Sequence, residues 1–400
     1  MKIGIDARMM SSNFGIGRYV QQLVKHLLEI DSENEFVFFV RDARDLTPDP
    51  SPTRRGDFKV VEADIPWYGW EEQVKFKKII DKEDVDLMHF PHWNVPLLYN
   101  KPFVVTIHDL TMYHYPRPEA TTLGPIKFWL KDKAHRLVVR HAVKRAKKII
   151  VTSEFTRQDV HETLKVPMEK MVVTYQAPFE RNKIQDTNNF KIQPSSRAQV
   201  EGNSKFKIAG QYVLYVGAAY PHKNLQGLIK AWKIFNDKYD LDYKLVLVGK
   251  RNYFYNQLFN NRPIEQYNNV IYKDDVSDTE LVSLYTNASL FVFPSLYEGF
   301  GLPPLEAMSH GVPVVSSNRS CMPEVLGEAA LYFDPENYEQ MADVIYRGLT
   351  DEEIRFVLKD NAIELLKTYS WEKLARETLG VYKEAAGNFL PLSGGARGGL

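Results

Sequence analysis

Residues 291–315 read FVFPSLYEGFGLPPLEAMSHGVPVV. An apolar run of strand length leads into Glu298. Two glycines and two prolines follow, helical spacing then continues through Glu306 to Gly311, and a second β-branched run begins. Gly299 and Gly301 permit a tight turn that presents bare N–H groups. Pro303 and Pro304 suit a first helical turn, where a missing N–H costs nothing. A strand, a glycine turn and a helix N-terminus together gather unpaired N–H groups and the positive end of the helix dipole, which favours an anion. Such a turn lies at the carboxyl end of a parallel strand, where open α/β sheets bind ligands. The spacing puts Glu298 in the turn and Glu306 in the first turn of the helix, so both can face one crevice. Carboxylates accept hydrogen bonds from paired hydroxyls, so a ribose at one and a hexose at the other, joined by a diphosphate, satisfies all three features. On spacing alone, Glu306 serves equally well as a capping carboxylate and Glu298 as a solvated loop residue.

The same alternation runs outward in both directions. KIGIDA (2–7), EFVFFV (35–40), DLMHF (86–90), FVVTIHD (103–109) and KIIVTS (148–153) read as strands with helical patterns between them. YVLYVGA (212–218), YKLVLVGK (243–250), NVIYKD (269–274), LFVFPS (290–295), VPVVSS (312–317) and ALYFD (330–334) repeat the theme. Apolar strands alternating with helices predict parallel sheets covered on both faces. The fold class is therefore α/β, with two Rossmann-like domains. The expected division is a first domain over 1–180, a polar linker over 181–210 and a second domain over 211–369. A C-terminal helix over 370–388 packs back toward the first domain, and a disordered tail covers 389–400.

Composition agrees with this and narrows the function. Four hundred residues, 44% apolar and 26% charged, suit two packed domains. Fifty-one basic and 51 acidic residues leave no net charge, so no nucleic-acid partner is expected. One cysteine, Cys321, excludes a disulfide framework and points to a reducing compartment. MKIGIDARMM breaks into charge too early for a signal peptide, and no run approaches the ~20 apolar residues of a membrane span. The expected location is cytoplasmic, with any membrane contact peripheral on the inner face. IKFWLKDKAHRLVVRHAVKRAKKII (126–150) mixes lysines and arginines with Phe128, Trp129, Leu130 and Leu137. It reads either as a surface for anionic lipid or as a solvated helix packed on the sheet by its apolar face.

The stretch FPSLYEGFGLPPLEAMSHGVPVVSSNRSCMPEVLGEAALYFDP resembles the E-x7-E region of the GT-B fold retaining glycosyltransferases of family 4. The similarity extends to GIDARMMSSNFGIGRYV, VVTIHDL, VTSEFTRQDV and YVGAAYPHKNL. Among relatives it is most similar to bacterial mannosyltransferases of O-antigen type, whose role lies in polysaccharide and lipopolysaccharide biosynthesis. The resemblance implies two domains facing across a cleft, the first for the acceptor and the second for the donor. It implies that Glu306 holds the donor ribose and Glu298 the donor sugar hydroxyls. Backbone N–H groups of Gly299, Phe300, Gly301 and Leu302 then meet sugar and phosphate. Lys223, in PHKNL, neutralises the diphosphate, and His108 contacts the sugar near the reacting carbon. Gly15 and Gly17 approach from the opposite wall. Catalytic duty thus falls on His108, Lys223 and Glu298.

One departure stands out. Many members carry an arginine directly after the glycine of the YVLYVG strand, where this chain has Ala218. Either Lys250, His222 or Arg251 supplies that charge, or the site relies on Lys223 and helix dipoles. No cofactor or essential metal is expected. Asp84-Val85-Asp86 and Asp240-Leu241-Asp242 read as polar lead-ins to strands, and His89, His92 and His114 as packing or surface residues. The resemblance implies transfer of a hexose, mannose from GDP-mannose as first choice, to a saccharide or lipid-linked acceptor with retention. The competing readings are a GT-B epimerase or phosphorylase and an inactive glycan-biosynthesis subunit. A nicotinamide enzyme is disfavoured because NFGIGRY lacks the third glycine of its fingerprint.

Overall fold

The computed structural model describes residues 1–11, 15–46, 57–118, 124–178, 208–260 and 269–387. The expected linker, as far as residue 207, and the expected tail lie outside the described residues. The chain forms two compact units, one of Met1–Gln176 with the chain from Ser370 onward, the other of Ala177–Tyr369.

In the first unit, β1 (Lys2–Asp6), β2 (Glu35–Val40), β3 (Phe58–Glu62), β4 (Leu87–Phe90), β5 (Phe103–Ile107), β6 (Lys148–Val151) and β7 (Met171–Val173) form one sheet. Its order is β3-β2-β1-β4-β5-β6-β7, and every neighbouring pair is parallel. The interior strands are buried on both faces, which is why they read as unbroken apolar runs. The two strands not anticipated from sequence, β3 and β7, are the two edges. Edge strands alternate in exposure or run short, so their apolar signal is weak.

The helices that follow its strands in sequence are α1 (Ile16–Ile30), α2 (Lys77–Glu83), α3 (Thr111–His114), α4 (Pro125–Arg145) and α5 (Glu154–Leu164). In α1 the buried residues Tyr19, Val20, Leu23, Val24 and Leu27 follow helical spacing. A π-helical turn, Glu72–Phe76, runs directly into α2 and buries Glu72 and Phe76.

The second unit repeats the plan. Its strands are β8 (Gln211–Val216), β9 (Tyr243–Val248), β10 (Val270–Lys273), β11 (Leu290–Phe293), β12 (Val314–Ser317) and β13 (Ala330–Phe333). They form a parallel sheet in the order β10-β9-β8-β11-β12-β13. Its helices are α6 (Leu225–Lys238), α7 (Tyr253–Asn260), α8 (Asp278–Asn287), α9 (Leu302–Ser309), α10 (Met322–Leu326), α11 (Tyr338–Thr350) and α12 (Glu352–Leu366).

The last helix, α13 (Trp371–Ala385), returns to the first unit. Ser370 caps it by accepting the Lys373 N–H. Trp371, Leu374, Ala375, Thr378, Val381 and Tyr382 form a buried stripe against α1, β5 and β6. Its register is fixed by a 2.7 Å hydrogen bond between the Tyr382 hydroxyl and His89 Nδ1 on β4.

In each unit the strand order reverses once, between β1 and β4 and between β8 and β11. The loops leaving these neighbouring strands diverge to opposite faces and open a crevice at the carboxyl edge. Both units place their polar clusters there.

Candidate active site

In the second unit, the segment after β8 runs through Gly217 to a 3-10 turn, Pro221–Lys223, and Asn224 at φ 56 opens α6. The segment after β11 carries Glu298. A backbone bond from the Leu296 N–H to the His222 carbonyl (2.7 Å) ties the two segments together. Lys223 Nζ consequently sits 2.6 Å from Glu298 Oε1, with both side chains largely buried. The ammonium also lies 5.8 Å from the centre of the Phe293 ring. Residues 75 apart in sequence are thus joined at the switch point.

Glu298 is held on its backbone as well. Its N–H donates to Ser320 Oγ (3.1 Å) and its carbonyl accepts from the buried Cys321 thiol (3.3 Å). Gly301 follows at φ 90, a left-handed conformation that favours glycine whatever the space around it. Phe300 is buried edge-on against Tyr369. Leu302 begins α9 with the two prolines behind it.

Glu306 corrects an expectation. It is the fifth residue of α9, not part of its first turn, and the first turn holds no acid. A side chain that far along cannot reach the helix-opening N–H groups, so the capping alternative falls. Glu306 is instead 4% exposed, and the Tyr285 hydroxyl donates to its Oε2 (3.0 Å). A carboxylate kept this deep requires polar partners.

The neighbouring loops are shaped by phenols. Tyr215 donates to the Ala218 carbonyl (2.9 Å), Tyr255 to that of Gly217 (2.8 Å) and Tyr272 to that of Gly249 (2.9 Å). Burial raises the pKa of all three, Tyr272 to about 12, so they remain donors. Gly249 packs so tightly against the Gly217 carbonyl that a Cβ could not be accommodated. This contact sets Lys250 beside the β8 loop. Of the three residues considered as replacements at Ala218, Lys250 is exposed, His222 is buried, and Arg251 Nε is engaged by Asn256 (2.8 Å).

In the first unit, His108 follows β5. Its Nε2 donates to the Pro91 carbonyl (2.9 Å), and the ring packs edge-on against Tyr19. Burial lowers its pKa, and the ring is neutral. Gly15 precedes α1 at φ 57, and Gly17 is buried inside that helix. His89 is an interior strand residue, and His114 pairs with Asp159 on α5 (2.9 Å). Among the described residues, no group of three or more His, Cys, Asp or Glu is placed to hold a metal ion.

A second buried cluster escaped the sequence reading. Arg8, 1% exposed, donates Nε and one terminal nitrogen to the two oxygens of Asp6 (2.8 Å each). It also reaches Glu72 Oε1 (2.6 Å) and the Ile65 carbonyl (3.1 Å), and covers the Phe76 ring. Asn94 Nδ2 donates to the same Glu72 oxygen (2.6 Å), and Asn94 Oδ1 accepts from His92 Nδ1 (3.0 Å). Burial opposes the guanidinium charge, yet Asp6 and Glu72 hold it above its ordinary value. The signal lay in GIDARMM and HFPHWN, but nothing in either string announces that they meet at Glu72.

The family model described as "Glycosyltransferase Family 4" matches residues 15–177, and that of "Glycosyl transferases group 1" matches 199–365. The "O-antigen chain mannosyltransferase B" of Escherichia coli is 30% identical over 303 residues, 74% of this chain and 74% of that protein. The "O-antigen chain mannosyltransferase RfbU" of Salmonella typhimurium is 28% identical, over 71% and 73%. Among solved structures, sucrose-phosphate synthase from Thermosynechococcus elongatus superimposes with a TM-score of 0.69 at 20% identity, covering 96% and 98%. Two parallel Rossmann-like units with a polar cluster at a switch point, together with these matches, make the protein a glycosyltransferase of the GT-B fold. More narrowly, the chain belongs to glycosyltransferase family 4.

Proposed function

We propose that the protein transfers mannose from GDP-mannose to a hydroxyl of a saccharide or lipid-linked acceptor, with retention of configuration. The observation that carries this is the Lys223–Glu298 pair at the second unit's switch point. A cation for a diphosphate and a carboxylate for sugar hydroxyls stand side by side, with Glu306 buried nearby for a ribose. The choice of mannose is supported by the relatives at about 30% identity that are named as O-antigen chain mannosyltransferases.

In this reading the diphosphate displaces Glu298 from the ammonium, which frees the carboxylate for the sugar. As the bond from C1 to the diphosphate oxygen breaks, Lys223 offsets the charge growing on the leaving group, with Lys250 in place of the family arginine. The acceptor oxygen bonds to C1 from the same face, and its proton passes to the leaving phosphate oxygen. The protein supplies position and field without a covalent intermediate.

A thermal-shift series tests donor and site together. GDP and GDP-mannose should raise the melting temperature of the wild type. Glu306→Ala should weaken that binding by roughly tenfold to a hundredfold, as expected when a buried polar partner is lost. Stabilisation by UDP-linked sugars alone would refute the choice of donor, and unchanged GDP affinity in Glu306→Ala would refute the ribose role.

The membrane reading of 126–150 is favoured by α4. Only Val139, Ala142 and Val143 near its end are buried, whereas Ile126, Trp129, Leu130 and Leu137 are exposed among exposed lysines. No helix among the described residues is long and apolar enough to cross a membrane. We expect the protein to sediment with phosphatidylglycerol vesicles but not phosphatidylcholine ones, and to be released by salt. Ile126→Ser with Trp129→Ser should abolish sedimentation; retention by that variant, or no sedimentation of the wild type, discards the reading.

A further inference from the structure

We propose that Tyr68, backed by Trp93, is a stacking platform for a pyranose ring of the saccharide acceptor, with Asp64 and Arg41 as hydroxyl partners on its rim. The proposal rests on the saccharide-acceptor reading above and names the residues that would serve it.

The segment between β3 and the π-helical turn reads ADIPWYGW (63–70). Tyr68 lies at φ 64, a left-handed conformation that is costly for a bulky non-glycine residue. Its N–H donates to Glu72 Oε2 (2.9 Å), the carboxylate whose other oxygen takes Arg8 and Asn94. The buried network therefore has an output, which is to hold the Tyr68 backbone in a strained conformation. That conformation lays the Tyr68 ring on Trp93, with centroids 5.0 Å apart and planes 24° from parallel. One ring face is covered, yet Tyr68 remains 52% exposed and Trp70 beside it 80%. Tyr68 also reaches buried His92 Nδ1 with its hydroxyl (3.5 Å), yet half of the side chain stays in solvent, and backbone strain of this kind concentrates at ligand sites.

The surroundings select a neutral polyol. His92, against both Tyr68 and Trp93, is neutral, its pKa pushed down to about 3 by burial and by the nearby His108. On the same loop, Asp64 Oδ1 receives Arg41 Nε (3.0 Å) and a terminal nitrogen (2.7 Å), and the guanidinium sits over Trp67. An exposed carboxylate–guanidinium pair offers acceptors and donors to neighbouring hydroxyls with no net charge, so an anionic ligand gains little. The C–H face of a pyranose matches a rigid aromatic face in size and polarity. The location agrees: Asp6 ends β1, Arg8 follows it, and His92 and Asn94 follow β4, the pair that forms the first unit's switch point.

The test is saturation-transfer NMR on the full chain with the methyl pyranosides of α-mannose, α-glucose, β-galactose and N-acetylglucosamine. At least one should receive saturation at its ring C–H protons. Tyr68→Ala should lower that affinity roughly tenfold, whereas Tyr68→Phe, which keeps the ring, should bind as the wild type does. Stabilisation by GDP, followed in parallel, reports whether each variant retains its fold and the donor site. Binding undiminished in a Tyr68→Ala protein that still responds to GDP overturns the platform, as does a wild type that binds none of the four sugars. Tyr68-dependent sugar binding in a chain indifferent to every nucleotide would sustain the platform and sink the donor reading.

Discussion

Lys223→Ala is expected to lower kcat by ~10²–10³-fold, about 3–4 kcal/mol of lost transition-state stabilisation, as for removal of one preorganised electrostatic group. The reasoning begins with its position. Lys223 is held 2.6 Å from Glu298 Oε1 by a turn that is itself bonded to the Glu298 segment through Leu296 and His222. In the proposed mechanism the same turn keeps the ammonium in place after the diphosphate has displaced Glu298, so the cation is already positioned where charge grows on the leaving group. Lys223→Arg should restore only part of the rate, because a planar fork does not occupy the site of a compact ammonium. The rival role, a lysine that merely neutralises Glu298, makes a different forecast. In that case Lys223→Ala combined with Glu298→Gln would recover activity. GDP release from GDP-mannose, measured with each variant, separates the two. A kcat within about threefold of wild type for Lys223→Ala would remove the lysine from the mechanism.

Acidification should destabilise the first unit by about 4 kcal/mol between pH 7 and pH 5. His89 and His92 are almost fully buried, and burial, with the neighbouring His108, pushes both down to about 3. Unfolding returns them to about 6.5. The unfolded chain therefore binds more protons than the folded one at any pH between those values, and stability falls as pH drops below about 6.5. Each group costs about 1.4 kcal/mol per pH unit once the unfolded form is protonated, hence about 2 kcal/mol at pH 5. His108 and His135 are also lowered by burial, and add in the same direction. Urea titrations at the two pH values, followed by far-UV circular dichroism, measure the difference. His89→Gln should remove roughly half of it. A pH-independent midpoint from 7 to 5 would contradict the neutral, buried assignment of these rings.

How the residues divide between the two levels follows from the range of their interactions. Interior strands such as EFVFFV and LFVF announce themselves because burial on both faces demands an unbroken apolar run, a demand that acts locally. The turn from Glu298 through Gly301 is equally local. Its glycines and prolines satisfy steric rules within a few residues, so strand, turn and helix were legible at once. The edge strands β3 and β7 were not, because a half-solvated or three-residue strand carries little pattern. Glu306 was placed one turn too early, since two prolines mark where a helix can begin but not which face a later residue occupies.

By itself, then, the sequence determined that two parallel α/β units exist and which short segments end at their carboxyl edges. Only tertiary structure decided which of those segments meet. Lys223 finds Glu298 because β8 and β11 are neighbours, and Arg8 and Asn94 converge on Glu72 because β1 lies beside β4. Strand order is chosen by the packing of whole helices and sheets, a sum over many weak contacts that no local pattern encodes. The strained Tyr68 follows from that order, for its conformation depends on a carboxylate held by residues from both sides of the sheet's switch point.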